Sequence, residues 1–521
     1  MMVCAVHRIS PGRQRGAKRF FPQAIQSVDW QHGGGLPHCT IQQRKIARWL
    51  FLLASFLFML TSSGRVRFID EVLPVYQTES LVARGSTAIP QAVGAQLFYG
   101  KRDLRGQPQA PYPPGQAIVA IPWYLAGRHV LLRLPGVPAN AQALVTDFAV
   151  VLSNATFTAL ATALAFLIFL RLGVADQTAL LATAIFALGT PLWAYAAWYY
   201  SEPLAVALFL GAALLLLAGP ADTPLPLGAG LAGGALLGAA LWVRPTHVVV
   251  VAVFLLALAA SGRRDVWRVL TLAGSVIAVF GVAYLARNSM LFGNAFDFGY
   301  PDAAEAGKRL NTFETPLGTG LYAFLLSPGK SIFLFAPPLL LALGTLPKMW
   351  RRNPGLAVAM GGTLLATLPF FACYTQFEGG YSFGPRYMVP GIALACLGIG
   401  VVLSEGSATM RKALVALAVA GFLINCVGLA TSPLEDQATG KYYDANFNYR
   451  LDYNPIGGQG GLLWHYLTSS TPAPIGRGWD RWFVFLRKGG VGTGWLLLLG
   501  GLFVAGALVS ARQLRRVLQQ G

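Results

Sequence analysis

Charge is scarce in this chain. Only 12% of its 521 residues are Asp, Glu, Lys or Arg, against roughly 25% in a soluble globular protein. With 55% hydrophobic residues and a mean hydropathy of +0.54, much of the surface must have lipid as its solvent. Acidic residues are scarcer than basic ones, 21 against 40, for a formal net charge of +19. In a soluble chain that excess would point to nucleic acid. Here the basic residues flank apolar runs in short clusters, the pattern that holds cytoplasmic loops against an anionic leaflet, so nucleic-acid binding is set aside. The five cysteines (Cys4, Cys39, Cys373, Cys396 and Cys426) show no CxxC spacing and no disulfide framework. No HExxH, P-loop, GxSxG or strand-borne GxGxxG arrangement occurs, so neither zinc nor soluble-nucleotide chemistry is indicated. No internal repeat stands out, which weakens a transporter built from repeated halves.

What the chain does have is long apolar runs. A membrane span needs about 20 mostly apolar residues. Runs of that kind fall near 49–63, 143–170, 178–197, 203–218, 227–243, 247–260, 266–286, 329–346, 355–373, 387–404, 413–430 and 491–510, which predicts an all-α multi-pass membrane protein with about 12 transmembrane helices. Segment 114–134 decides the parity. If it crossed, Arg263-Arg264, Lys348 with Arg351-Arg352, Arg411-Lys412 and Arg512 with Arg515-Arg516 would all lie outside. If it lies flat, they join Arg44, Lys45 and Arg48 inside, as the positive-inside rule demands of short loops. It is therefore read as an amphipathic helix at the outer interface, in a cell (plasma) membrane protein with both termini cytoplasmic. Residues 1–48 carry Arg8, Arg13, Arg15, Lys18 and Arg19 and a Gly-rich piece, with no signal-type apolar region. They are expected to be a disordered cytoplasmic tail or an over-extended start of the reading frame. Residues 49–510 form the transmembrane domain, with outer loops at 65–142 and 431–490, and 511–521 form a cytoplasmic tail.

The outer face gathers the residues that can carry chemistry. Asp70-Glu71 follows the first span directly, and neighbours on a helix point about 100° apart. One carboxylate can face a cavity as a general base, taking a proton from an attacking hydroxyl, while the other caps the helix or binds a neighbour. Acidic residues at a helix start also suit the helix dipole without any catalytic role. Lys330, Arg386, Arg287 and Arg244 sit at outer helix mouths, all but Arg287 directly beside Gly or Pro. Singly, each reads as a snorkelling side chain; as a set, they suit a phosphate, with Arg as a fork and Lys as a point charge. Glu202, ahead of Pro203, is either a helix-start carboxylate or an acceptor for a sugar hydroxyl or a cation. With Glu378, Tyr381, Tyr112 and His247 it makes up the candidate sugar- or acceptor-binding set. The aromatics of 431–490 offer a stacking platform for sugar rings or an interfacial belt. His32, His38 and Cys39 have no trusted ligand spacing, and no metal site is assigned.

These residues resemble a known family. The DE pair after the first span, the YPPG turn, the interfacial helix and the following bundle are similar to GT-C glycosyltransferases. In particular they resemble the branch that holds protein O-mannosyltransferases and lipid A aminoarabinose transferase. The segments YYSEPL, LFGNAFDFGY, LLSPGKSIFLFAPP and FEGGYSFGPRYMVP resemble bacterial phospholipid-carrier-dependent members. The resemblance covers about residues 49–510. It implies a GT-C-like bundle and a polyprenyl-phosphate-linked sugar as donor. It implies inverting transfer at the extracytoplasmic face to a glycan, lipid or protein acceptor of the cell envelope, with Asp70 as base or acceptor-positioning group. The leaving phosphate would be stabilised by Lys330, Arg386 and Arg287. Some branches use a divalent cation, and no full ligand set is present. A transporter or flippase of lipid-linked sugars and a non-catalytic binding scaffold stand as alternatives. A transporter places ionisable residues near mid-membrane, and these runs are nearly free of them.

Overall fold

The computed structural model describes residues 40–301, 312–380, 382–432, 455–468 and 479–520. Nearly all of their regular structure is helical. Six helical stretches are long and apolar enough to cross a membrane: Ala139–Arg171, Val266–Phe292, Pro354–Ala372, Arg386–Glu405, Ala408–Ala430 and Thr493–Gln519. Four shorter apolar helices accompany them, at Asp176–Leu188, Glu202–Leu216, Leu227–Val243 and Pro245–Ala260. The expected run 329–346 is not one continuous helix. It is broken into Ile332–Phe335 and Leu339–Leu343, because Pro337-Pro338 removes two backbone donors between them.

Both ends of the described residues are more helical than expected, and the rest of the expected N-terminal tail lies outside them. Thr40 and Gln43 form a reciprocal capping box, which satisfies early orphan donors and starts the Ile41–Thr61 helix at residues assigned to the tail. The last helix runs to Gln519, through residues expected to form the cytoplasmic C-terminal tail. It packs along Ile41–Thr61, which in turn packs on Gln142–Arg171.

Close helix contact elsewhere rests on small residues. Gly230, Gly234 and Gly238 lie four residues apart on the Leu227–Val243 helix and face Val266–Phe292. A Cβ on Gly234 would lie 2.7 Å from the Ala273 backbone. Such small-residue stripes let membrane helices approach where no hydrophobic force drives them together.

Segment 114–134 forms the Gly115–His129 helix followed by a short 3-10 turn at Leu131–Arg133. This helix packs on Ile69–Arg84, Gln142–Arg171 and Leu227–Val243. A two-stranded hairpin, Lys101–Arg102 against Pro108–Gln109, completes that part of the first loop. It is linked to the 294–300 segment by the Lys101–Asp297 ion pair at 2.9 Å.

Candidate active site

The helix Ile69–Arg84 begins at Phe68 without a side-chain cap, so charge must serve its exposed N–H groups. The two acidic residues of the first turn divide as their angular spacing requires. Glu71 turns inward and is fully buried. It accepts from Arg67 Nη2 at 2.9 Å, from the Arg67 backbone N–H at 2.7 Å and from the Tyr199 N–H at 3.2 Å. Asp70 turns the other way and lines a cleft.

The cleft encloses about 450 Å³, including open solvent, and is lined by polar groups from distant parts of the chain. Asp70, Tyr112, Arg244, Tyr300 and Arg386 face into it, with Gln116 and Ser201. Tyr112, Arg244 and Arg386 are delivered by breaks in regular structure. Tyr112 precedes Pro113-Pro114, and Pro114 is the N-cap of the Gly115–His129 helix. Arg244 adopts an extended backbone where the Leu227–Val243 helix stops, because Pro245 disfavours a helical residue before it. Arg386 opens the 3-10 turn that leads into the Val389–Ala395 helix. Pro74 also lines the cleft; lacking an N–H, it leaves the Asp70 carbonyl without its intrahelical donor.

Asp70 is the hub. The Tyr112 hydroxyl donates to Oδ1, and Arg386 Nη1 donates to Oδ2. Burial alone would raise the Asp70 pKa. The charge of Arg386, the Tyr112 hydrogen bond and the charge of Arg244 outweigh it and hold the carboxyl below its ordinary value. The carboxylate is thus ionised, with both oxygens engaged. Tyr112 responds oppositely: burial and the neighbouring Asp70 charge push its hydroxyl well above the ordinary tyrosine value, so it remains a donor.

Arg386 also donates from Nε to Glu202 Oε1 at 2.9 Å, and its guanidinium lies 3.9 Å from the Tyr200 ring centroid. Arg244 donates to the same Glu202 oxygen at 3.1 Å and lies over Tyr387 at 4.9 Å. Aromatic faces support both cations without consuming hydrogen-bond donors.

The remaining candidates lie elsewhere. Lys330 is fully buried and donates to Ser382 O at 3.2 Å, Ser382 Oγ at 3.3 Å and Gly384 O at 3.1 Å. It pins the turn ahead of Arg386 and does not line the cleft, contrary to its expected place at a phosphate. Gly384 adopts φ +70° there, and a Cβ would lie 2.6 Å from the Phe335 ring. Glu378 is half-buried within electrostatic reach of Lys330. Arg287 points to Asn288 and Thr87, away from the cleft lining. His247 is buried, with Nδ1 at 2.9 Å from Ala240 O and its ring against Phe209. It is not among the residues that line the cleft. Glu202 is 2% exposed and reaches the cleft only through the two arginines. Tyr381 lies outside the described residues. Among the described residues, no group of three or more His, Cys, Asp or Glu is placed to hold a metal ion.

A second charge network braces this arrangement. Asp480 accepts from Arg65 Nε at 2.8 Å, from Arg67 Nη1 at 2.7 Å and from Trp198 Nε1 at 3.2 Å. Arg67 passes the link on to Glu71. Sequence reasoning missed Arg65, Arg67, Asp480 and Tyr300. Asp480 lies more than 400 residues from Arg65 and Arg67, and no spacing rule connects them. Tyr300 carried a weak signal as an aromatic residue in the acidic loop 287–328.

No protein-family model and no curated protein matches the chain. Among solved structures, it is similar to ArnT from Cupriavidus metallidurans bound to undecaprenyl phosphate, at 16% identity and TM-score 0.46, over 91% of this chain and 77% of that one. The same enzyme in its apo state gives 16% identity and TM-score 0.45, over 90% and 77%.

Proposed function

We propose that this protein transfers a sugar from a polyprenyl-phosphate carrier to an acceptor of the cell envelope at the extracytoplasmic membrane face. One observation carries the reading: an ionised carboxylate, Asp70, shares one open cleft with two guanidinium groups, Arg244 and Arg386. Base and phosphate-binding cations at one point are what an inverting glycosyl transfer from a lipid phosphate requires. The acceptor hydroxyl attacks the anomeric carbon and its proton passes to Asp70. The bond from that carbon to the phosphate oxygen breaks, and the electron pair leaves on a phosphate monoester stabilised by the arginines. In the resting arrangement Arg386 holds Asp70. An incoming phosphate competes for that guanidinium and frees a carboxylate oxygen for the acceptor.

Mass spectrometry of lipid copurifying with the detergent-solubilised protein tests this. Polyprenyl phosphate, bare or glycosylated, should accompany the wild type and be depleted in Arg244→Ala. Asp70→Asn should retain the glycosylated form and slow transfer by about 10²- to 10⁴-fold. Equal recovery from wild type and Arg244→Ala would remove the phosphate assignment. Wild-type turnover in Asp70→Asn would remove the base and favour a binding scaffold.

A further inference from the structure

Glu202 stands behind the cleft. It does not line it, yet a single oxygen, Oε1, receives hydrogen bonds from both arginines that do, at 2.9 and 3.1 Å. The other oxygen, Oε2, is buried and has no hydrogen-bond partner among the described residues. A carboxylate buried at this cost, with half its acceptor capacity unused, contributes something besides hydrogen bonds. It contributes charge. Asp70 and Glu202 together cancel Arg244 and Arg386, while Tyr112, Tyr300 and Tyr387 around them are neutral phenols. Lys330, nearby, is held by Ser382 and Gly384 and does not line the cleft.

Neutrality matters because of what the reaction leaves behind, if the function proposed above holds. A sugar-phosphate lipid is a phosphodiester with one negative charge. The product is a phosphate monoester whose second ionisation falls near pH 6, as for other phosphate monoesters. The product is therefore the more anionic partner. Two uncompensated arginines would hold it more tightly than the donor, and product release would throttle turnover.

We propose that Glu202 is a positioning residue that limits the charge of the arginine pair, so that the polyprenyl-phosphate product is released. It aligns both guanidinium groups on one oxygen and offsets part of their attraction for a dianion.

The test measures the dissociation constant of undecaprenyl phosphate, used alone as the probe, together with steady-state turnover. Glu202→Gln adds one unit of positive charge to the cluster. It should bind the probe about tenfold more tightly, the scale of one added unit charge in a partly solvated cleft, while kcat falls. Glu202→Asp keeps the charge and should stay near wild-type affinity. Unchanged or weaker binding in Glu202→Gln, or equal tightening in Glu202→Asp, would overturn the charge role. Should Glu202→Gln fail to fold, Asp70→Asn makes the same charge change from the cleft side and should also tighten binding; weaker binding there overturns the inference. A wild type that does not bind the probe at all would instead remove the proposed donor class, and this inference with it.

Discussion

At the scale of single residues, the site turns on how one carboxylate is held. Asp70 is kept ionised by Arg386, Tyr112 and Arg244 against the opposing effect of burial. Its folded-state pKa is depressed, so on the proposed mechanism Asp70 acts as a base above that value and activity is lost as pH falls through it. Tyr112→Phe removes one of the stabilising contacts without removing the ring. The acid limb of the kcat/KM profile should then move to higher pH, because the carboxyl rises toward its ordinary value. Activity at the pH optimum should fall by no more than about tenfold, since a single supporting hydrogen bond is lost. An acid limb in the same place would show that Tyr112 packs against Asp70 without setting its ionisation. The sequence displays Asp70 and Glu71 as two carboxylates about 100° apart. Which of them faces the cleft depends on Arg67 and the Tyr199 N–H, both of which claim Glu71. Lys330 shows the same gap from the other side. Its place beside Gly and Pro at a helix mouth is visible in the sequence, but three acceptor oxygens converging on its ammonium are not.

At the scale of elements, the start of the Ile69–Arg84 helix is fastened across the chain. Asp480 joins Arg65 and Arg67, Arg67 joins Glu71, and Glu71 holds the backbone of the Trp198–Tyr200 segment. Asn154 holds the same segment by donating to the Tyr200 carbonyl at 2.6 Å. Arg67 lies 5.2 Å from the Trp198 ring, and Arg386 lies over Tyr200 two residues later. One short aromatic segment therefore carries the bracing network on one side and the cleft on the other. The side chains of Arg67, Glu71 and Asp480 are at most 2% exposed, so removing one partner strands buried charge. Asp480→Ala should lower stability by about 3–5 kcal/mol, read as a drop in the thermal midpoint of the detergent-solubilised protein. The linkage has a definite sign. Burial would raise the Asp480 carboxyl, but Arg67, Arg65 and Arg481 hold it below its ordinary value. The wild-type advantage over Asp480→Ala should be full at neutral pH, above the unfolded carboxylate range, and shrink as pH falls through the depressed folded value. A gap between the two melting curves that is independent of pH would mean that packing, and not charge, is what Asp480 supplies. Apolar periodicity marks the helices that meet here, but the ion network depends on contacts between residues hundreds of positions apart.

At the scale of the whole molecule, the donor class depends on which side of the membrane the cleft faces. Arg244 and Pro245 stand at the cleft. From there the Val248–Ala260 helix runs away from it for 13 residues, about 20 Å at 1.5 Å per residue, to the turn holding Arg263 and Arg264. Arg263 fastens that far turn by donating to Pro220 O at 3.0 Å and to Asp265. The basic turn thus lies about one helix length from Arg244. If the positive-inside rule places Arg264 in the cytoplasm, the cleft opens outside, beyond reach of nucleotide-activated sugars, and the donor must arrive on a lipid. In a variant with its five native cysteines replaced, Arg105→Cys, exposed in the first loop, should react with a membrane-impermeant maleimide in intact cells. Arg264→Cys, exposed in the far turn, should react only after permeabilisation. The reverse pattern would turn the cleft toward the cytoplasm. Asp70, Arg244 and Arg386 would then face soluble sugar nucleotides, and the case for a polyprenyl-phosphate donor would lose its physical basis even though every contact in the cleft stayed the same.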